Sequence, residues 1–90
     1  MNTLKMLAVW SWAPKDAKEV TDRFMKWKSS GKYEVLYPMS TMIGMNKAFM
    51  ISDVDDIAEI QKDVSHWTDL CNFKFIPIMD SSKAVAVSRQ

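Results

Sequence analysis

The stretch LKMLAVWSW, residues 4–12, decides the fold, because it predicts a β-strand that is apolar on both faces. Side chains alternate between the two faces of a strand. One face is entirely apolar and carries Leu4, Met6, Ala8, Trp10 and Trp12. The other face still carries Leu7 and Val9, between Lys5 and Ser11. Such a strand needs an apolar cover on each side.

The next 40 residues, 13–52, predict a helix followed by a hairpin. Pro14 suits a first helical turn, and an apolar stripe follows at helical spacing until SSGK, where Gly31 suits a helix C-cap. YEVLYPMSTM and KAFMIS then predict two short strands joined by the turn IGMN. Closely spaced strands of this kind form antiparallel hairpins, and Pro38 indicates an edge strand or a β-bulge.

A second helix and a last strand complete the pattern. Ser52 or Asp53 is the predicted N-cap of the helix, and the acidic residues that follow suit its dipole. The apolar stripe of this helix extends to Trp67. CNFKFIPIM predicts the last strand, and DSSKAVAVSRQ predicts a short helical or loose tail.

The element order predicts an α+β fold with the ferredoxin-like βαββαβ arrangement, in which both helices cover one face of a four-stranded antiparallel sheet. Residues 1–90 form one domain in this interpretation, with a core at about 4–80 and a C-terminal tail at 81–90. The apolar second face of the sheet then needs another cover. A second copy of the chain is the simplest one, so the sequence predicts a homodimer with its sheets face to face. A monomer whose tail crosses the sheet is the alternative.

Composition and charge limit the possible partners. The net charge is +1, which argues against a nucleic-acid partner held by phosphate contacts. No apolar run approaches the roughly 20 residues that a membrane span needs, so no membrane partner is expected. The chain contains one cysteine, which excludes an intrachain disulfide and fits a cytoplasmic location.

The only histidine and the only cysteine, His66 and Cys71, lie close together in the sequence. The periodicity of the second helix directs His66 towards solvent, away from the apolar stripe. Cys71 has no base beside it, and Asp69 disfavours a thiolate. A single histidine and a single cysteine also fall short of any metal ligand set. The sequence therefore predicts no metal site and no cofactor, and it identifies no catalytic residue.

The aromatic residues are the better candidates for a site. Trp10 and Trp12 share one face of the first strand, and Tyr37, with Tyr33, lies beside them if the strand register permits. Tryptophan and tyrosine offer flat surface and a hydrogen-bonding tip, which suits an aromatic ligand. Trp10, Trp12, Tyr37 and Trp67 are therefore the predicted ligand-binding residues. The alternative is that these side chains form the core or the dimer interface.

Several segments together resemble a family of short uncharacterised prokaryotic proteins in the dimeric α+β barrel superfamily. These segments are WSW, MKWK, DVDDIAEI and WTDLCNFKFIPIMD. The most specific matches are Trp67, Asp69, Leu70, Phe75 and Pro77. The resemblance implies ferredoxin-like subunits that pair as a dimeric α+β barrel. Relatives in this superfamily include cofactor-independent monooxygenases, haem-degrading monooxygenases, lactone isomerases and stress-responsive barrel proteins.

The interpretation that these observations favour is a small cytoplasmic homodimer that binds an apolar or aromatic molecule in a cleft or in the barrel interior. A cofactor-independent monooxygenase or isomerase of the barrel type is the first alternative. A structural or interaction subunit without a ligand is the second. Whether the protein is an enzyme stays open at this stage.

Overall fold

The computed structural model describes residues 3–89. One antiparallel sheet contains β1 Leu4–Trp12, β2 Glu34–Thr41, β3 Lys47–Val54 and β4 Cys71–Pro77, in the order β2-β3-β1-β4. A 3₁₀ turn at Pro14–Asp16 precedes α1 Ala17–Lys26, and the other helices are α2 Ile57–Val64 and α3 Ser81–Ser88. The predicted ferredoxin-like α+β fold is confirmed. In residues 3–89, no helix is long and apolar enough to cross a membrane.

The register of the strands assigns each residue to one of two sheet faces. Met6 and Ala8 of β1 are buried beneath the helices. Residues directly opposite each other share a face, so Ala48 and Met50 of β3 and Phe75 of β4 also lie on this helix face. The opposite face is called the outer face below. Its apolar residues are Leu7, Val9, Tyr37, Phe49, Ile51 and Ile76.

The core consists of two clusters on the helix face. The first contains Met6, Val54 and Ile60, with Tyr33, Val64 and Phe75 packed against them. The second contains Val20, Trp67 and Cys71, with Trp10, Trp12, Trp27, Leu70 and Phe73. Each cluster joins a helix to the sheet by burying apolar surface, at roughly 25 cal/mol per Å². The core is therefore divided, which leaves room for a cleft.

The helix boundaries differ from those predicted. Asp56 caps α2, since its side chain accepts a hydrogen bond from the Ala58 N–H at 2.9 Å. The prediction of a cap at Ser52 or Asp53 is wrong, because the alternation of β3 continues to Val54. The helix α1 ends at Lys26, five residues before Gly31, the predicted C-cap, and the backbone of Trp27 is already extended.

The strand β2 is irregular, and this irregularity changes the faces of its residues. Its register with β3 shifts between Val35 and Tyr37 and again between Tyr37 and Ser40. Val35 lies opposite Ser52 on the helix face, whereas Tyr37 lies on the outer face. Simple alternation predicts one face for both, and that prediction is wrong. Pro38, which cannot donate a ladder hydrogen bond, lies within the second shift, and β2 is an edge strand as predicted.

The outer face is apolar at its centre and uncovered by the described chain. Tyr37 stacks on Phe49 with 5.5 Å between ring centroids. Tyr37 and Ile76 are 49% and 44% exposed, respectively. The helix α3 is itself exposed along almost its whole length, so it does not serve as a cover. The two-sided apolar character that the sequence of β1 indicates is therefore present in the sheet.

Candidate functional site

A cleft of about 320 Å³ lies between the helices and the helix face of the sheet. Its size is at the lower end of the roughly 300–1,000 Å³ found for small-molecule pockets. Ala8 of β1 and Ala48 of β3 are on the lining, on adjacent central strands. Larger residues at these positions would fill the centre of the helix face. The cleft therefore exists partly because two small side chains occupy its floor.

Aromatic side chains form a large part of the cleft wall. All four tryptophans of the chain line it, together with Phe24, Tyr33, Phe73 and Phe75. Trp10 stacks on Phe73 at 5.8 Å, and Trp27 meets Trp67 edge to face at 5.9 Å. Aromatic pairs at these separations and angles stabilise each other beyond their buried area. The wall is thus flat and apolar, and its aromatic pairs hold one another in place.

The structure brings together three of the four residues predicted to bind a ligand. Trp10, Trp12 and Trp67 line the cleft, although they belong to β1 and to the turn after α2. Tyr37 is on the outer face, separated from them by the sheet, because of the register shifts in β2. Tyr33, the other tyrosine, lines the cleft.

Asp63 is the polar centre of the site. It belongs to α2, is 5% exposed, and accepts hydrogen bonds from a loop more than 30 residues earlier in the chain. The donors are Ser29 Oγ at 2.5 Å, Ser30 N at 2.8 Å, Gly31 N at 3.1 Å and the Tyr33 hydroxyl. One carboxylate therefore fastens the α1–β2 loop to α2, next to the cleft.

Gly31 makes this approach of loop and helix possible. A β-carbon at this position would overlap the backbone carbonyl oxygen of Glu59 and the ring of Tyr33. The glycine predicted to end α1 is thus required at a different place, where the loop touches α2. No larger side chain fits there without moving the loop away from Asp63.

The hydrogen bonds of Asp63 also influence the protonation states of Asp63 and Tyr33. Burial opposes ionisation, but hydrogen bonds from Ser29, Tyr33 and two backbone N–H groups hold the pKa of Asp63 below its ordinary value. Burial and the hydrogen bond to this carboxylate raise the pKa of Tyr33 to about 12. At neutral pH the site contains an ionised carboxylate and a neutral phenol that are bound to each other.

Asp63 was not among the residues that the sequence predicted for the site. A signal was present, because Asp63 follows Ile60 by three residues and precedes Trp67 by four. This spacing places it on the apolar stripe of the helix rather than on the solvated face. An acidic residue on an apolar stripe indicates a buried partner, and here the partner is the 29–33 loop.

Arg23 ties α1 to the turn that follows α2. Its guanidinium bonds both carboxylate oxygens of Asp69, at 2.7 and 3.0 Å, and the backbone carbonyl oxygen of His66 at 2.9 Å. It also lies 5.6 Å from the ring centroid of Trp67. Exposed ion pairs contribute little to stability, so the main effect is to orient Trp67 in the cleft wall.

The only histidine and the only cysteine of the chain lie in the turn after α2 and at the start of β4, respectively. The side chain of His66 is exposed, as the periodicity predicts. Cys71 is buried in the second cluster, and burial raises the pKa of its thiol. Across residues 3–89, no group of three or more potential ligands could hold a metal ion.

Several polar side chains along the cleft are already engaged in hydrogen bonds, whereas two buried indole N–H groups are not. The hydroxyls of Thr21 and Ser40 donate to backbone carbonyls, and Asp63 is fully occupied. Within the described residues, no lysine, arginine or histidine lines the cleft. The indole N–H groups of Trp12 and Trp27 are buried and donate to no acceptor among those residues. Such a site favours a neutral molecule.

The fold and the cleft define an α+β protein with a ferredoxin-like sheet and an aromatic site between sheet and helices. The chain belongs to a family described as a domain of unknown function (DUF3303), whose model matches residues 4–90. No curated protein and no solved structure matches the chain. The predicted membership of an uncharacterised family is confirmed, whereas membership of the dimeric α+β barrel superfamily stays a prediction.

Proposed function

We propose that the protein binds a small, neutral, flat apolar molecule in the cleft between the helices and the sheet. The observation that carries the proposal is a cleft of about 320 Å³ that is lined by all four tryptophans and, among residues 3–89, by no basic side chain. Ligand pockets are typically apolar and aromatic, with few polar groups. The chain contains a single cysteine, which fits the reducing environment of the cytoplasm. We therefore propose that the protein and its ligand are cytoplasmic.

The same geometry supports binding better than turnover. A cofactor-independent oxygenase or isomerase needs a group that is free to take a proton from its substrate. Asp63 and Tyr33 are the ionisable groups on the cleft lining, and they are bonded to each other. The open volume of the cleft also argues against an interaction subunit with a solid interior. Ligand binding is the function that these observations support.

A matched pair of probes tests this proposal. We expect 2-acetylnaphthalene, which is neutral and flat, to bind with a dissociation constant on the order of 100 µM. The 2-naphthoate anion should bind at least about tenfold more weakly, because its carboxylate loses hydration beside ionised Asp63. NMR titration of the four indole N–H signals measures both affinities, since every tryptophan lines the cleft.

Two kinds of titration result would contradict the proposal. Binding of neither probe, or shifts confined to amide signals of the outer face, would contradict a ligand site in the cleft. Equal affinity for the two probes would contradict its selectivity for neutral molecules. The signals of Val85 and Val87 in the exposed helix α3 provide an internal reference for unspecific shifts.

We also propose that the protein is a homodimer, with a second copy packed on the outer face. The apolar centre of that face supports this proposal, since contiguous exposed apolar patches mark interaction surfaces. Two sheets that pack face to face lie about 10 Å apart and bury such side chains against each other. Val9 lies on the central strand β1, at the middle of the patch.

Replacing Val9 with lysine should convert the dimer to a monomer, because a charge would be buried without a partner. The expected weakening is roughly 3–5 kcal/mol, or more than a hundredfold in the dimer dissociation constant. Native mass spectrometry and sedimentation equilibrium measure the mass, with near-ultraviolet circular dichroism to confirm folding. Met25→Lys, at an exposed position of α1, is the control. A monomeric wild-type protein, or a dimeric Val9→Lys protein, would contradict the proposed interface.

A further inference from the structure

Two buried hydrogen-bond donors on the cleft lining have no acceptor. The indole nitrogens of Trp12 and Trp27 are shielded from water and donate to no group within residues 3–89. Buried polar side-chain atoms are almost always hydrogen-bonded, and a donor that is left unpaired lowers the stability of the fold. Both side chains line the cleft and pack against the same core cluster, that of Val20, Trp67 and Cys71. The unpaired donors therefore belong to the candidate site itself.

The acceptor with the strongest charge on the same lining is already in use. The carboxylate of Asp63 accepts hydrogen bonds from the 29–33 loop. The hydroxyls of Thr21 and Ser40 direct their hydrogens to backbone carbonyl oxygens. The polar groups that the described lining leaves open are therefore mainly donors. A ligand that matches them supplies an acceptor.

Trp27 has open space on two sides. Its side chain lines the cleft, and it also borders a surface pocket together with Arg23, Lys26 and His66. Trp27 follows the last residue of α1 and has an extended backbone, so the packing of a helical turn does not fix its side chain. The torsion between the β-carbon and an indole ring has broad minima. The ring of Trp27 can thus turn its N–H towards an acceptor that occupies the cleft.

We propose, on the basis of the ligand-binding function above, that the ligand is a neutral carbonyl compound whose oxygen accepts a hydrogen bond from the indole N–H of Trp12, of Trp27 or of both. A carbonyl group conjugated to a ring is flat, as the aromatic wall requires, and it accepts hydrogen bonds close to the plane of the ring. It also carries no net charge. A site that hydrogen-bonds one particular group of its ligand rejects an analogue that lacks this group.

Acetophenone and α-methylstyrene form a matched pair of probes, since they have nearly the same shape and a C=CH₂ group replaces the C=O group. Without a hydrogen bond the hydrocarbon should bind more tightly, because a carbonyl oxygen loses hydration in an apolar cleft. We expect the opposite order, with acetophenone at least about threefold tighter and a dissociation constant on the order of 1 mM. NMR titration of the indole N–H signals measures both affinities. Acetophenone should also move the N–H proton of Trp12 or Trp27 downfield of its position in the hydrocarbon complex.

Replacement of each tryptophan by phenylalanine identifies the donor, because it removes the N–H and keeps an aromatic ring. Trp12→Phe or Trp27→Phe should reduce the preference for acetophenone, and the double variant should abolish it. Phe73→Leu changes the same wall without removing a donor. It should alter both affinities by a similar factor and preserve their ratio. Thermal melting of each variant confirms that the subunit folds.

The outcomes separate the carbonyl ligand from the ligand site itself. If neither probe moves an indole signal, the ligand-binding proposal fails and the carbonyl ligand fails with it. If α-methylstyrene binds the wild-type protein at least as tightly as acetophenone, the cleft stands as a ligand site and the carbonyl ligand is overturned. A preference for acetophenone that persists in the folded double variant would overturn the assignment of the hydrogen bond to Trp12 and Trp27. The wild-type comparison decides the first question even if a tryptophan variant does not fold.

Discussion

Replacing Asp63 with alanine should destabilise the subunit by roughly 3–5 kcal/mol, more than any exposed substitution. The change removes the acceptor of Ser29 Oγ, Tyr33 Oη and the N–H groups of Ser30 and Gly31. These hydrogen bonds are part-buried, and each donor that is left without a partner and out of reach of water costs about 1–3 kcal/mol. Domains of this size are stable by only about 5–15 kcal/mol, so a large part of the stability is lost. Urea unfolding measures the free energy, and the melting temperature should fall by roughly 15–30 °C.

Two variants control this experiment. Asp55→Ala removes an exposed acidic residue just before α2 and should change the stability by less than about 0.5 kcal/mol. Asp63→Asn keeps the shape but replaces one acceptor oxygen with a donor, so it should lie between the wild-type protein and Asp63→Ala. If Asp63→Ala is no less stable than Asp55→Ala, the α1–β2 loop does not depend on this carboxylate.

The same carboxylate gives the stability a defined dependence on pH. Folding lowers the pKa of Asp63 from its ordinary value of 3.8, so the unfolded chain binds the proton more readily. The stabilisation is therefore complete above that value and is lost as the pH falls through the folded pKa. Asp63→Asn should lack this acid-dependent component. Parallel acid titrations of the two proteins in urea would show a difference that disappears only below about pH 4.

The fold could be predicted because its signals are local. Alternation in residues 4–12 and helical spacing around Val20 and Ile60 each depend on a few neighbouring residues. The predicted N-cap of α2 was wrong because Ser52 and Asp53 belong to β3. The alternating burial of this strand continues through both residues to Val54. Local patterns thus identify the elements well, and they locate the ends of the elements less well.

The candidate site could be predicted only in part, because it depends on contacts distant in sequence. Trp10 and Trp12 share a strand face by alternation, which the sequence shows directly. Tyr37 was grouped with them on the condition that the register of the hairpin permits it, and register shifts in β2 move it to the outer face. Asp63 obtains its role from a loop about 30 residues earlier, and no local pattern contains that partner.

The floor of the cleft provides the most specific test of ligand binding. Ala48 is 5% exposed and lies on β3, at the bottom of the cleft and directly opposite Trp10. Its replacement by leucine adds three carbon atoms to the space that the ligand would occupy. We expect Ala48→Leu to weaken binding of 2-acetylnaphthalene by at least about tenfold, measured by titration of the indole N–H signals. The melting temperature should be retained or raised, because filling a cavity adds apolar contacts.

The probe affinity of each variant is interpreted together with its melting temperature. Ala86→Leu adds the same atoms on exposed α3 and should leave both quantities unchanged. If Ala48→Leu is overpacked and unfolds, Ala8→Val on the neighbouring strand makes a smaller change to the same floor. A folded floor variant that binds the probe as tightly as the wild-type protein would contradict the cleft as the binding site. A folded variant that has lost binding would show that the ligand occupies the space left by two alanines between the halves of the divided core.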